Sequence, residues 1–179
     1  KSAASFYGLG FAEYQRKDLA KARLNFDKAL GLDPKLAAAH YNLGFLDYEA
    51  GNLESAVKHF EAALAAKGGD YPEARYNLAV VLGDLGRWEE AGAAYQESLK
   101  ISRQICASVG ETPEALRDLS ISLDNVGNVA QAMGRWEDAG SAYDEGLKIA
   151  RRLAKFCPEI VEYSNLLLWF EDKLRDLKD

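Results

Sequence analysis

The sequence predicts an all-α fold in which helical hairpins stack one on another. Prolines are sparse, at Pro34, Pro72, Pro113 and Pro158, and each stands between long stretches whose apolar residues recur at steps of three and four. That is the spacing of one helical face, and a proline inside such a helix would cost about 3 kcal/mol. One segment also returns nearly unchanged. GRWEEAGAAYQESLKISRQ from Gly86 and GRWEDAGSAYDEGLKIARR from Gly134 agree at thirteen of nineteen positions. Helical pairs that repeat cannot bury their apolar faces alone, so they stack.

The first pair, residues 3–36, runs through FYGLGFAEYQRKDLAKARLNFDKALGLDP from Phe6, and the second, residues 37–70, through HYNLGFLDYEAGNLESAVKHFEAALAAKG from His40. The third, residues 72–110, contains RYNLAVVLGDLGRWEEAGAAYQESL, and the fourth, residues 113–157, contains LDNVGNVAQAMGRWEDAGSAYDEGL. Each first helix carries an apolar residue followed by a small one, at Leu9-Gly10, Leu43-Gly44, Leu78-Ala79 and Val126-Gly127. A turn follows at Lys17, Gly51, Gly86 or Gly134. The second helix then has a small residue at Ala22, Ala56, Ala91 or Ala139, and an aromatic four further on at Phe26, Phe60, Tyr95 or Tyr143. Small residues let two helices approach, and the aromatic fills the space beside them.

The turn positions lie 34, 35 and 48 residues apart. The long interval adds close to four helical turns, and two turns added to each of two adjacent helices keep their buried faces in phase. The extension is expected to rise to a loop at ASVGETPE, with Leu99, Ile101 and Ile105 before it and Leu116, Leu119 and Leu123 after it. Trp88 and Trp136 are expected to share one packing role, and Gly92 and Gly140 to mark close approach to a neighbouring backbone. A last helix, residues 159–178, has an apolar stripe from Ile160 to Leu177 and reads as a solvating cap. Trp169 and Phe170 within it offer a possible oligomer contact.

These residues resemble the tetratricopeptide repeat family. Phe6, Leu9, Gly10, Ala22, Phe26, Ala29 and Pro34 follow that family's pattern, as do Leu43, Gly44, Gly51, Ala56, Phe60 and Ala63; Glu13 and Asp47 stand where a tyrosine is usual, and Gly68 where a proline is. The resemblance implies a right-handed α-α superhelix of four hairpins, the last with elongated helices, closed by the capping helix, with residues 1–179 forming one domain.

In proteins similar to this one the first helix of each pair lines a concave groove. The resemblance therefore implies a peptide-binding surface at Tyr7, Phe11 and Tyr14, then Tyr41, Phe45 and Tyr48, then Tyr76, and at Asn128 in the fourth pair. Asn42, Asn77 and Asn125 hold one place in their repeats. An asparagine amide both donates to a carbonyl and accepts from an N–H, so a row of them can hold an extended backbone, as related repeat proteins do; packing and hydrogen bonding between repeats are the competing roles. A basic clamp for a chaperone tail is matched only at Asn42.

The expected function is that of a non-catalytic scaffold or adaptor binding an extended or short helical segment of a protein partner. The alternatives are a homo-oligomeric assembly unit and a regulatory domain of a larger enzyme. No nucleotide-binding glycine loop or metalloprotease motif is present, and neither a cofactor nor a metal is expected; His40 reads as a packing residue. Cys106 and Cys157 read as small apolar residues. The formal charge of -6 opposes nucleic-acid binding, and the densest basic cluster, Lys148, Arg151, Arg152 and Lys155, reads as a solvated helix face. No stretch has the length and apolarity of a membrane span. The compartment stays open, with the cytoplasm preferred.

Overall fold

The computed structural model describes residues 2–177, and among them the chain forms nine helices and no strand. Two compact units are distinguished, Lys1–Arg87 and Trp88–Asp179. The first holds α1 (Ala3–Gln15), α2 (Leu19–Leu32), α3 (Ala37–Glu49), α4 (Leu53–Ala66) and α5 (Pro72–Asp84). The second holds α6 (Trp88–Val109), α7 (Pro113–Ala132), α8 (Trp136–Phe156) and α9 (Val161–Asp176). In the first unit α1 pairs with α2 and α3 with α4, and α5 packs on α4; in the second, α6, α7, α8 and α9 pack in succession.

Helix ends follow local chemistry. The Asp18 carboxylate accepts from the Lys21 N–H at 3.1 Å, and the Thr112 hydroxyl accepts from the Ala115 N–H at 3.2 Å with Pro113 just inside the helix. Both arrangements supply partners to donors that the first turn leaves open. The four turns inside repeats close alike, with a backbone N–H reaching five residues back: Asp18 to Glu13 at 3.0 Å, and Asn52 to Asp47, Arg87 to Leu82 and Arg135 to Ala130 each at 2.8 Å. This closure places one residue in the left-handed region. Glycine occupies it at Gly51, Gly86 and Gly134, but Lys17 holds it in the first repeat with φ of 63°. A β-carbon is strained there, so Lys17→Gly is expected to stabilise the first unit by about 0.5–1 kcal/mol after allowing for glycine's greater unfolded-state freedom. A higher denaturant midpoint would show it, and an unchanged midpoint would refute it.

The small and aromatic positions form a lock within each complete hairpin. A β-carbon at Gly10 would stand 2.6 Å from the Phe26 ring, one at Gly44 2.9 Å from Phe60, and one at Gly127 2.3 Å from Tyr143. The three rings are fully buried, as are Ala22, Ala56 and Ala139 beside them. The same device fixes α9 from the opposite side, because Phe170 of α9 reaches Gly146 of α8, where a β-carbon would lie 2.4 Å from the ring.

The helices α6, α7 and α8 contain 22, 20 and 21 residues against 13 or 14 in α1 to α5. Each is about two turns longer, which keeps their apolar stripes in phase. The loop between α6 and α7 is shorter than ASVGETPE, since only residues 110–112 lie outside the helices. Leu9 differs from its buried counterpart Leu43 in being 39% exposed.

Two packing expectations are corrected. Trp88 and Trp136 are exposed, Trp136 to 58%; each begins its helix, where the side chain leans past the helix end and finds little to cover it. At Gly92 the neighbour is a side chain rather than backbone, Val129 Cγ1 at 3.3 Å from a β-carbon, and at Gly140 Leu177 Cδ1 at 3.8 Å leaves ordinary room. The expected end of the last helix, at 178, lies outside the described residues.

Candidate functional site

In the first unit α1, α3 and α5 present aromatics on a shared face. Tyr7 stacks with Phe11 at 6.5 Å between centroids and leans on Phe26 at 5.7 Å; Tyr14 meets Phe45 edge-on at 6.2 Å. Tyr41 packs on Phe60 at 5.9 Å and stacks on Tyr71 at 5.3 Å. Tyr7, Tyr14, Tyr41, Phe45 and Tyr48 are half-buried, whereas Phe11 and Tyr76 are 43% and 42% exposed. The face thus combines rings fixed by packing with rings that still offer area to a partner. Tyrosine suits such a surface because it joins apolar area to a hydroxyl.

Polar links cross this face from helix to helix. Asn42 Nδ2 donates to the Tyr7 hydroxyl at 3.2 Å and to the Ala38 carbonyl at 2.8 Å, while Asn77 Nδ2 donates to the Tyr41 hydroxyl at 3.1 Å. The Tyr48 hydroxyl donates to Asp84 Oδ2 at 2.9 Å. Asn42 therefore has both amide hydrogens committed and keeps only its oxygen for a partner, and Asn77 keeps one hydrogen and its oxygen. Burial, then the charge of Glu49, pushes the Tyr14 hydroxyl pKa up; the Asp84 hydrogen bond, then burial, does the same for Tyr48. Both phenols remain neutral donors.

In the second unit the two asparagines differ. Asn128 donates to Asp124 Oδ2 at 3.1 Å and accepts from the Tyr143 hydroxyl at 2.8 Å, so it serves the interior of the α7–α8 hairpin. Asn125 is half-buried and makes no side-chain hydrogen bond among the described residues. Of the two aromatics expected at an oligomer contact, Phe170 is fully buried against Gly146 and is withdrawn from any partner. Trp169 is 48% exposed, donates to Asp124 Oδ1 at 2.9 Å and carries Lys173 Nζ 4.9 Å from its ring centroid.

Sequence reasoning missed three features. Asn165 precedes Leu166 just as Asn42, Asn77 and Asn125 precede Leu43, Leu78 and Val126, and it lines a 280 Å³ recess with Arg117, Ile121, Glu162, Leu166 and Trp169. The Asn-Leu step was readable, but the spacing after the lengthened hairpin concealed it. A larger cavity of 490 Å³ lies among α6, α7 and α8, floored by Val126, Val129 and Leu99 and bridged by Arg103 Nη2 to Glu145 Oε2 at 2.7 Å. Gly92, Ala93, Ser141 and Ala142 leave that space open.

The third feature is a polar cluster in the first unit. Arg23 Nη2 meets Asp47 Oδ1 at 2.6 Å, His59 Nε2 lies 3.7 Å from Asp47 Oδ2, and His40 and His59 face each other through Nδ1 at 3.1 Å. His40 Nε2 lies 3.1 Å from the Pro34 carbonyl oxygen and donates to it. His40 thus packs against His59, and Asp47, which stands where the family pattern has a tyrosine, is neutralised by Arg23.

Among the described residues no group of three or more His, Cys, Asp or Glu could hold a metal, and no helix is long and apolar enough to cross a membrane. Cys106 donates its thiol to the Ala115 carbonyl at 3.4 Å. The basic cluster on α8 is drawn into ion pairs, Lys148 with Asp144, Arg151 with Glu171 and Arg152 with Glu111.

Hairpins locked by glycine and aromatic residues, with first helices carrying the exposed aromatics, define an all-α helical-repeat protein of the interaction-scaffold class. The Tetratricopeptide repeat family model matches residues 35–104, and a second model, TPR repeat, matches residues 10–51, together more than half of the chain. The chain belongs to the tetratricopeptide repeat family. Such repeats are protein-interaction scaffolds, generally without catalytic activity.

No curated protein matches the chain. Solved structures share its fold. One from a functional characterisation of Pseudomonas aeruginosa pilF superposes with a TM-score of 0.60 at 22% identity, covering 97% of this chain and 75% of that one. The apo form of RapI gives 0.69 at 18% identity, covering 97% of this chain, which spans 64% of RapI. MamA protein gives 0.65 at 18% identity, with 98% and 91% covered.

Proposed function

We propose that the chain is a non-catalytic scaffold whose first-helix face in the first unit binds an extended or short helical segment of a protein partner. The observation that carries this is the run of aromatics from Tyr7 to Tyr76 across α1, α3 and α5, in which Phe11 and Tyr76 remain over 40% exposed. Large aromatics that are held in place yet uncovered are the residues that dominate binding energy at interfaces. The asparagines act chiefly as ties between first helices, with the Asn42 and Asn77 oxygens left to accept from a partner's backbone.

Phe11→Ala tests the reading with little risk to the core, because that ring is exposed and Tyr41 is not. A partner captured by the wild-type chain and mapped to its bound segment should bind the variant about tenfold or more weakly, with an unchanged melting transition. Undiminished affinity would place binding elsewhere.

A second reading rests on α9, where Val161, Leu168 and Trp169 are 70%, 57% and 48% exposed. This apolar surface supports self-association. Mass measured by light scattering should then rise with concentration and fall back in Trp169→Ala; a monomer throughout removes it.

A further inference from the structure

The lysines and arginines on the helices of the first unit are segregated by helix, whereas acidic residues lie on first and second helices alike. Lys21, Arg23 and Lys28 lie on α2 and Lys58 on α4, whereas Arg75 is the one lysine or arginine on α1, α3 and α5, and its guanidinium is hydrogen-bonded to the Gly69 carbonyl. The same three first helices carry Glu49, Glu73 and Asp84, all exposed. None of these carboxylates has an ion-pair partner among the described residues.

Each acts on an aromatic of the binding face or on the ring of Tyr71 that stacks against Tyr41 within it. Asp84 accepts from the Tyr48 hydroxyl at 2.9 Å, Glu49 acts on Tyr14 and Glu73 on Tyr71. The amide hydrogens of Asn42 are already spent within the face, so what it offers is weighted toward acceptors and ring faces. A neutral apolar peptide would leave the three carboxylates without an ion-pair partner, and an acidic one would be repelled. A lysine or arginine uses both kinds of group at once, its cation over a ring and its N–H groups on the neighbouring carboxylate.

We propose that this face is built for a partner segment that alternates apolar residues with lysine or arginine, its cations seated on the aromatic rings beside Glu49, Glu73 and Asp84. The proposal rests on the assignment of the face as the binding surface and adds the chemistry of its occupant. Electrostatic selection of this kind fixes which partner is accepted and speeds encounter, and it weakens as salt screens it.

Three labelled synthetic peptides of equal length, alternating leucine with lysine, with glutamine or with glutamate, test it by fluorescence anisotropy on the full chain. The leucine–lysine peptide should bind about tenfold or more tightly than the leucine–glutamine peptide, and the advantage should shrink as salt is raised. Combining Glu49→Lys, Glu73→Lys and Asp84→Lys should abolish that preference and transfer it to the leucine–glutamate peptide. The same reversal on the second helices, Asp27→Lys, Glu54→Lys and Glu61→Lys, should leave it in place; circular dichroism checks that both variants are folded. Equal binding of the lysine and glutamine peptides, or an equal loss in the second-helix variant, overturns the cation preference. If both peptides bind equally yet are lost in Phe11→Ala, the binding surface stands and only its charge selection fails. If Phe11→Ala changes none of the three, both assignments fail.

Discussion

Replacing Phe60 by Ala is expected to destabilise the first unit by about 3–5 kcal/mol. The ring is fully buried between α3 and α4, lies 5.9 Å from the Tyr41 ring and fills the space opposite Gly44. Its removal leaves a cavity that α3 cannot close without moving Tyr41 and its neighbours. The converse substitution, Gly44→Ala, puts a β-carbon 2.9 Å from the ring. Overpacking of about 1–3 kcal/mol then competes with a gain of up to about 1 kcal/mol in helix propensity, so a smaller net loss is expected. Gly8→Ala isolates the propensity part, because nothing lies within 4 Å of its β-carbon, and it should stabilise by about 0.5–1 kcal/mol. Urea denaturation should therefore rank stability in the order Gly8→Ala, wild type, Gly44→Ala, Phe60→Ala. Similar gains from Gly44→Ala and Gly8→Ala would show that the glycine–aromatic contact is not tight.

This lock was legible in the sequence because both of its parts lie within one hairpin. The exchange of Gly10, Gly44 and Gly127 against Phe26, Phe60 and Tyr143 is set by helical periodicity and a short turn. Helix starts at Pro72 and Pro113 were legible for the same local reason.

What the sequence concealed depends on distant partners. Asn42 gives an amide hydrogen to a hydroxyl 35 residues away, which only the packing of α3 beside α1 decides. Neighbouring residues on a helix point about 100° apart, so burial of Phe170 fixes Trp169 outward, and the gap at Gly146 chooses between them. Asp47 looked like a departure from the family pattern because its partner Arg23 lies on another helix, 24 residues earlier.

Arg23→Ala is expected to cost about 3 kcal/mol, at the lower end for breaking a buried ion pair because part of the Arg23 side chain stays in water. Asp47 is 4% exposed, and without the 2.6 Å contact its carboxylate keeps only His59 Nε2, at 3.7 Å. Combining Arg23→Met with Asp47→Leu removes the orphaned charge and should restore most of the loss. The cluster also sets a pH dependence. Burial holds the His59 pKa below its ordinary 6.5, Asp47 and Asp27 pull it upward, and His40 and Arg23 add to the lowering. The folded chain therefore binds this proton less readily than the unfolded chain, so the contribution is complete above about pH 6.5 and is lost as pH falls through the lowered folded value. His59→Gln should flatten the decline in unfolding free energy on the acid side. In Arg23→Ala the guanidinium no longer opposes protonation of His59, and an imidazolium there partly replaces the lost charge beside Asp47. The deficit of Arg23→Ala relative to wild type should accordingly be smaller near pH 5 than near pH 8. Equal deficits at the two pH values would show that Arg23, Asp47 and His59 are not energetically coupled.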